Sequence, residues 1–243
     1  MKVTSMKKYN ILTKNIFLIL CFGLFSINFA YAHNIERNKI EKIIEKFLIK
    51  NPQLLKSSLD NLELSIKREK KQLAIKLLNT ANNPVIFQKN ADLTIYEFFD
   101  YNCGYCKSVV QLLIDTISED TKVNLVFVEY PILSEDSYTA ALAALASKKQ
   151  NLYREFHLSL MNTKGRINEN TIFKNAEEIG LNIDKLKLDM NDPEIQLTLK
   201  KNREVAKSLE LNGTPAFIIG DIIYPGAINK NQLKKAIKLY RKS

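Results

Sequence analysis

The segment FFDYNCGYCK, Phe98 to Lys107, sets Cys103 and Cys106 three positions apart directly after a run of strand-forming residues. Three chemistries use such a spacing: a redox pair, half of a metal site, or a structural staple. At the start of a helix, residues i and i+3 share one side and lie close enough to form a Cys103–Cys106 disulfide. The first turn also leaves backbone N–H groups unpaired and carries positive partial charge. A thiolate there is stabilised, so Cys103 is expected to have a lowered pKa and to act as nucleophile, with Cys106 as the resolving thiol. Gly104 leaves the approach open, and Tyr105 adds apolar surface without a cation. A zinc site needs four ligands, and the remaining histidines are His33 and His157, the latter in the helical stretch LYREFHLSLM. His157 reads as a packed or surface residue and no metal is expected. A staple closing so short a loop removes little unfolded-chain entropy.

The elements that must position this pair can be read along the chain. The 243 residues are 46% hydrophobic and 26% charged, with a net charge of +10. Lysines 2, 7, 8 and 14 precede or flank the apolar run Ile16 to Phe25, and the stretch ends with Ala30-Tyr31-Ala32. This pattern reads as a signal peptide over 1–32, cleaved before His33, with Cys21 discarded along with it. The two remaining cysteines are Cys103 and Cys106, too few for a disulfide-stapled scaffold. The remaining charge, about +6, is spread along a chain of mixed sign, so no nucleic-acid partner is expected.

Residues 33–83 read as a helical segment. Ile40, Ile43, Ile44, Phe47 and Leu48 draw one apolar stripe, and Leu55, Leu59, Leu62, Ile66, Leu73 and Leu77 draw a nearly heptad seam. Between them Asn51 can cap and Pro52 can open a second helix. The seam can pack on its own domain or pair between subunits. From Pro84 the texture changes. PVIFQ, DLTIYEFFDY and VNLVFVEY read as strands, CKSVVQLLIDTI as a helix with Val109, Val110, Leu113 and Ile117 inward, and PAFIIGDIIYPG as a hairpin turning at Gly220-Asp221. A helical block fills about 133–211, and KNQLKKAIKLY closes the chain as a helix. The order is α/β with a helical insertion.

IYEFFDYNCGYCK, VEYPIL and NGTPAFIIG, in that order, resemble the DsbA-like thioredoxin-fold disulfide oxidoreductases of the bacterial periplasm. The resemblance covers 84–243 and implies a thioredoxin fold with a helical insertion and an N-terminal helical extension. It implies that Pro215 is cis and faces the redox pair, with Thr214 and Tyr105 contacting substrate. Glu97, six residues before Cys103, matches the family's buried acid and would move protons to and from Cys106. Glu129 is a second candidate acid, read as a strand-end carboxylate in water. The dipeptide Gly104-Tyr105 and the Thr214-Pro215 pair resemble periplasmic disulfide isomerases, and IEKIIEKFLIKNPQLL resembles the oligomerisation helices of the copper-sensitivity-suppressor branch. The implied activity is disulfide formation in other exported proteins, with isomerisation as an extension. Its partners are reduced or unfolded exported chains, a membrane redox protein and a second copy joined through 35–80, and no cofactor is needed. The rival reading is a non-catalytic envelope binding or chaperone protein with incidental thiols.

Overall fold

A computed structural model of the chain describes residues 37–242. The expected signal peptide, its cleavage point and His33 lie outside them. The described chain divides into two units meeting at Ile66 and Lys67.

The first unit holds helix α1 (37–50) and the beginning of helix α2 (Pro52–Asn79). Asn51 does not cap α2 with its side chain as expected. Its amide instead donates to the Phe47 carbonyl of α1 at 2.7 Å. Proline suits the first position of α2 because it has no N–H to lose there. Ile43, Ile44, Phe47, Leu55, Leu59 and Leu62 all stand exposed.

The second unit is built on a five-stranded sheet in the order β1-β3-β2-β4-β5, with β1 (Val85–Ile86), β2 (Leu93–Phe99), β3 (Val123–Glu129), β4 (Ala216–Ile219) and β5 (Ile222–Pro225). β2 and β3 run parallel, joined by helix α3 (Gly104–Glu119), and the other pairings are antiparallel. A parallel pair demands such a crossover. The central strands are buried on both faces, which is why β2 and β3 read as continuous apolar runs rather than alternating ones. The hairpin turns at Gly220-Asp221 as expected. Gly220 has φ +56°, and a Cβ there would run into the Tyr240 ring.

Two cores flank this sheet. One face, carrying Ile95, Phe99, Leu125, Phe127 and Phe217, packs against α3 and the terminal helix α9 (Lys230–Tyr240). It also meets the helical insertion, α4 (Glu135–Ser147), α5 (Tyr153–Asn162), α6 (Glu169–Glu178), α7 (Ile183–Asp189) and α8 (Pro193–Ser208). The other face, carrying Tyr96, Phe98, Val126, Val128 and Ile218, is covered by Val205 and Ala206 of α8 and by Ala74 and Leu78 of α2. The last turns of α2 therefore bury a face one residue away from the seam read in the sequence. Leu73 of that seam stays exposed and Leu77 is only partly covered.

Candidate active site

β2 ends at Phe99, and the chain then turns through Asp100, Tyr101 and Asn102 before Cys103 caps α3. The turn is over-determined. The Asp100 carboxylate accepts from the Asn102 N–H at 2.7 Å and from the Ile132 and Leu133 N–H groups at 2.9 and 3.0 Å. Asn102 pairs with the Ile167 backbone in both directions, accepting its N–H at 2.7 Å and donating to its carbonyl at 3.2 Å. These two residues position the cysteine pair and were missed by sequence reasoning. The available signal was DYN, two residues able to fold a turn through their own side chains, directly before Cys103.

Cys103 Sγ accepts the Cys106 backbone N–H at 3.3 Å and, as a thiol, donates to the Thr214 carbonyl at 3.2 Å. Thr214-Pro215 is a cis peptide bond, as the resemblance implied. Cys103 and Cys106 are both free thiols in this structure. The pair is strongly asymmetric. The Cys106 thiol hydrogen-bonds to Cys103 and holds its pKa down to about 6, with burial opposing and the backbone N–H groups of Cys106 and Tyr105 assisting. Cys106 is fully buried, and burial pushes its thiol well above the ordinary range. Cys103 is thus the sulfur that ionises near neutral pH. Tyr105 is 72% exposed, and a Cβ at Gly104 would meet no atom within 4 Å, so the surface beside Cys103 is open. A cation does stand beside the pair, outside the dipeptide. The Lys107 ammonium interacts with the Cys103 charge while donating to the Thr163 and Gly165 carbonyls at 2.7 and 2.8 Å.

Glu97 lies on the sheet face below α3, completely buried, with no hydrogen-bond partner for either carboxyl oxygen. Burial first, and the Cys103 charge second, push its pKa up to about 8. It is therefore a neutral acid at pH 7 when Cys103 is ionised.

Glu129 corrects the sequence reading. It is not a carboxylate in water but is 1% exposed, accepting from the Tyr101 hydroxyl at 2.9 Å and the Tyr153 hydroxyl at 3.1 Å. Burial raises its pKa well above the usual range. His157 is buried in the same cluster, 3.0 Å from the Tyr101 hydroxyl and ringed by Phe99 and Phe127. The Tyr101 hydroxyl thus joins the Glu129 carboxyl and His157 Nδ1 in one buried hydrogen-bonded chain. Burial pushes the His157 pKa down to about 3, so the ring is neutral. Among the described residues, no three His, Cys, Asp or Glu side chains converge as a set of metal ligands.

A family model described as a DSBA-like thioredoxin domain matches residues 94–238. A thioredoxin-like oxidoreductase from Silicibacter pomeroyi is 39% identical in sequence, with a TM-score of 0.67 over 69% of this chain and 96% of that one. The catalytic domain of Proteus mirabilis ScsC is 30% identical, with a TM-score of 0.66 over 72% of this chain and 99% of that one. A "Probable disulfide bond formation protein D" of Bacillus anthracis is 26% identical over 190 residues, covering 71% of this chain and 85% of the relative. The chain also matches a Na(+)/H(+) antiporter of Salinispora arenicola at 23% identity over 151 residues, spanning only 23% of that protein.

Proposed function

We infer the activity from a premise and a geometry: the chain belongs to the DsbA-like thioredoxin domains, a family of thiol-disulfide oxidoreductases, and its cysteine pair has the asymmetry such exchange requires. The proposed function is disulfide formation in other exported proteins, through Cys103 and Cys106, in the periplasm. The signal-like N-terminus supports export.

The observation that carries this reading is Cys103 Sγ at the cap of α3, 3.3 Å from the Cys106 N–H and 3.2 Å from the Thr214 carbonyl. In the oxidising direction a substrate thiolate attacks Sγ of Cys103 in the disulfide form. The Cys103–Cys106 bond breaks, and Cys106 leaves with the electron pair and takes up a proton, for which Glu97 is the nearby buried donor. A second substrate thiolate attacks the substrate sulfur of the mixed disulfide, and Cys103 leaves as the stabilised thiolate. Two electrons pass from substrate to protein, and a membrane redox partner removes them. Thr214 and Tyr105 contact the substrate chain. Pro215, having no N–H, leaves the adjoining backbone open to it.

Isomerisation is the extension of this reading when several copies assemble. Supporting assembly are the exposed apolar residues of α1 and α2, among them Ile43 at 65%, Phe47 at 52% and Leu59 at 57%. Contiguous apolar surface of this kind marks an interaction face. A refolding assay on a reduced, unfolded substrate tests the activity. The wild type restores disulfides and Cys103→Ala does not. Full activity in a variant lacking both cysteines would favour a chaperone role instead.

A further inference from the structure

A second recess opens beside Cys103 that shares no residue with the Thr214-Pro215 edge. It holds about 490 Å³ and is lined by Asn102, Gly104 and Lys107 on one side and by Leu133, Ser134 and Arg166 on the other. Asn102 and Gly104 are the residues immediately before and after Cys103, so the recess adjoins the redox turn although Cys103 itself does not line it. Its far wall comes in part from the β3–α4 segment, held where the Leu133 N–H donates to Asp100 and Asn102 donates to Ser134. The rest comes from the α5–α6 loop, which Asn102 grips through Ile167 and Lys107 through Thr163 and Gly165. The wall is thus fixed relative to the cysteine pair.

The charged side chains that line the recess are both cations, while Asp100 and the Cys103 thiolate act on Lys107 from outside the lining. Lys107 spends two of its three N–H donors on the loop carbonyls, which leaves one N–H. Arg166 has one acidic neighbour, Asp136 at 3.9 Å, and its side chain is 72% exposed. So long and exposed an ion pair contributes little, and the guanidinium can pair with an incoming carboxylate at small cost. Leu133, 53% exposed, offers apolar contact for the methylene stem of such a side chain.

The geometry points to a specificity pocket for an acidic side chain of the substrate polypeptide, carried within a few residues of the cysteine that reacts with Cys103. This rests on the thiol-exchange reading above and adds a preference among substrates. A residue one or two positions from the target cysteine lies about 3 to 7 Å along an extended chain. That reach matches a recess whose lining begins at the residues adjoining Cys103.

The test uses three short peptides whose single cysteine carries a 2-pyridyl disulfide, with Glu, Gln or Lys two positions away. The Cys103 thiolate of the reduced protein attacks the peptide sulfur, and 2-thiopyridone leaves with the electron pair and gains a proton. Cys106 then attacks Cys103 Sγ, closing the Cys103–Cys106 disulfide and releasing the peptide as its thiol. The absorbance of 2-thiopyridone gives the rate. Wild type is expected to react about three- to fivefold faster with the Glu peptide than with the Gln peptide, and slowest with Lys. In Arg166→Gln the Glu/Gln ratio falls towards one; as a ratio within each protein, it cancels any general loss of activity. A fourth peptide with Glu eight residues away should show no advantage. Equal rates for the Glu and Gln peptides, an unchanged ratio in Arg166→Gln, or an equal gain from the distant Glu would each overturn the pocket. Failure of the wild type to react with any peptide would instead refute the thiol chemistry itself.

Discussion

Glu97 and Glu129 stand diagonally on adjacent parallel strands of one buried sheet face: Glu97 is in register with Phe127, and Glu129 with Phe99. Both are buried on the face that carries the cysteine pair, and three of their four carboxyl oxygens have no hydrogen-bond partner. Each raises the proton affinity of its surroundings, Glu97 acting on Cys106 and on Glu129. The floor of the site therefore stores protons while its rim holds an anion.

The rim can be titrated directly. Absorbance at 240 nm of the reduced protein should rise with a midpoint at about pH 6, the value to which the Cys106 thiol and the adjoining N–H groups lower Cys103. Because the folded value lies below the ordinary one, the dithiol form gains stability as pH rises from about 6 towards 9 and loses it as pH falls through 6. A midpoint near 9 would remove the basis for Cys103 as nucleophile.

Glu97 gives the opposite slope. Its folded pKa is raised, so its contribution to stability is full below about 4.5 and is lost as pH rises through about 8. Glu97→Gln removes that loss. Its stability relative to wild type should increase steadily across this window, by on the order of 4 kcal/mol at the alkaline end. Urea midpoints at several pH values measure it, and a constant offset would count against a buried neutral acid.

Separation of the two thiols predicts a trap. Cys106→Ala should accumulate substrate joined to Cys103, visible by mass and released by a reductant, at least tenfold above wild type. Cys103→Ala should show none. An adduct on Cys106 in the latter variant would reverse the assigned roles.

The buried cluster below the turn is unequal in its parts. Tyr101→Phe removes one donor to Glu129 and the partner of His157 Nδ1 together, at a cost of about 2 to 3 kcal/mol. Tyr153→Phe removes only one donor to Glu129, costing about 1 kcal/mol. Denaturant unfolding with an unchanged slope distinguishes them, and equal costs would contradict the bonding pattern.

The apolar faces of α1 and α2 predict self-association of 33–243. Sedimentation should show a multimer, and Leu59→Glu combined with Leu62→Glu should yield monomer. Truncation belongs at Ile66, because Ala74 and Leu78 are part of the sheet's core. A monomeric wild type would remove the support for isomerisation.

The sequence announces β2, β3 and α9 clearly because their residue types and periods agree with their packing. Cys103, Cys106 and Pro215 were legible because they belong to short motifs. Glu129 was not: at the end of an apolar run a carboxylate looks like a strand emerging into water. Its partners Tyr101 and Tyr153 come from a turn and a helix far apart in the chain. The α2 seam misled for a related reason. An apolar stripe does not say which of its neighbours meets the sheet, and small Ala74 fits where Leu73 points outward. Asp100 and Asn102 act through backbone groups of Ile132, Leu133 and Ile167, which leave no trace in residue type.

The grip of Asn102 and Lys107 on residues 163–167 makes the helical insertion inseparable from the redox turn. Cutting the insertion away to leave a minimal scaffold would strand an amide and an ammonium beside the nucleophile. Anyone transplanting this CGYC loop into another protein must therefore carry a second, discontinuous piece of chain with it.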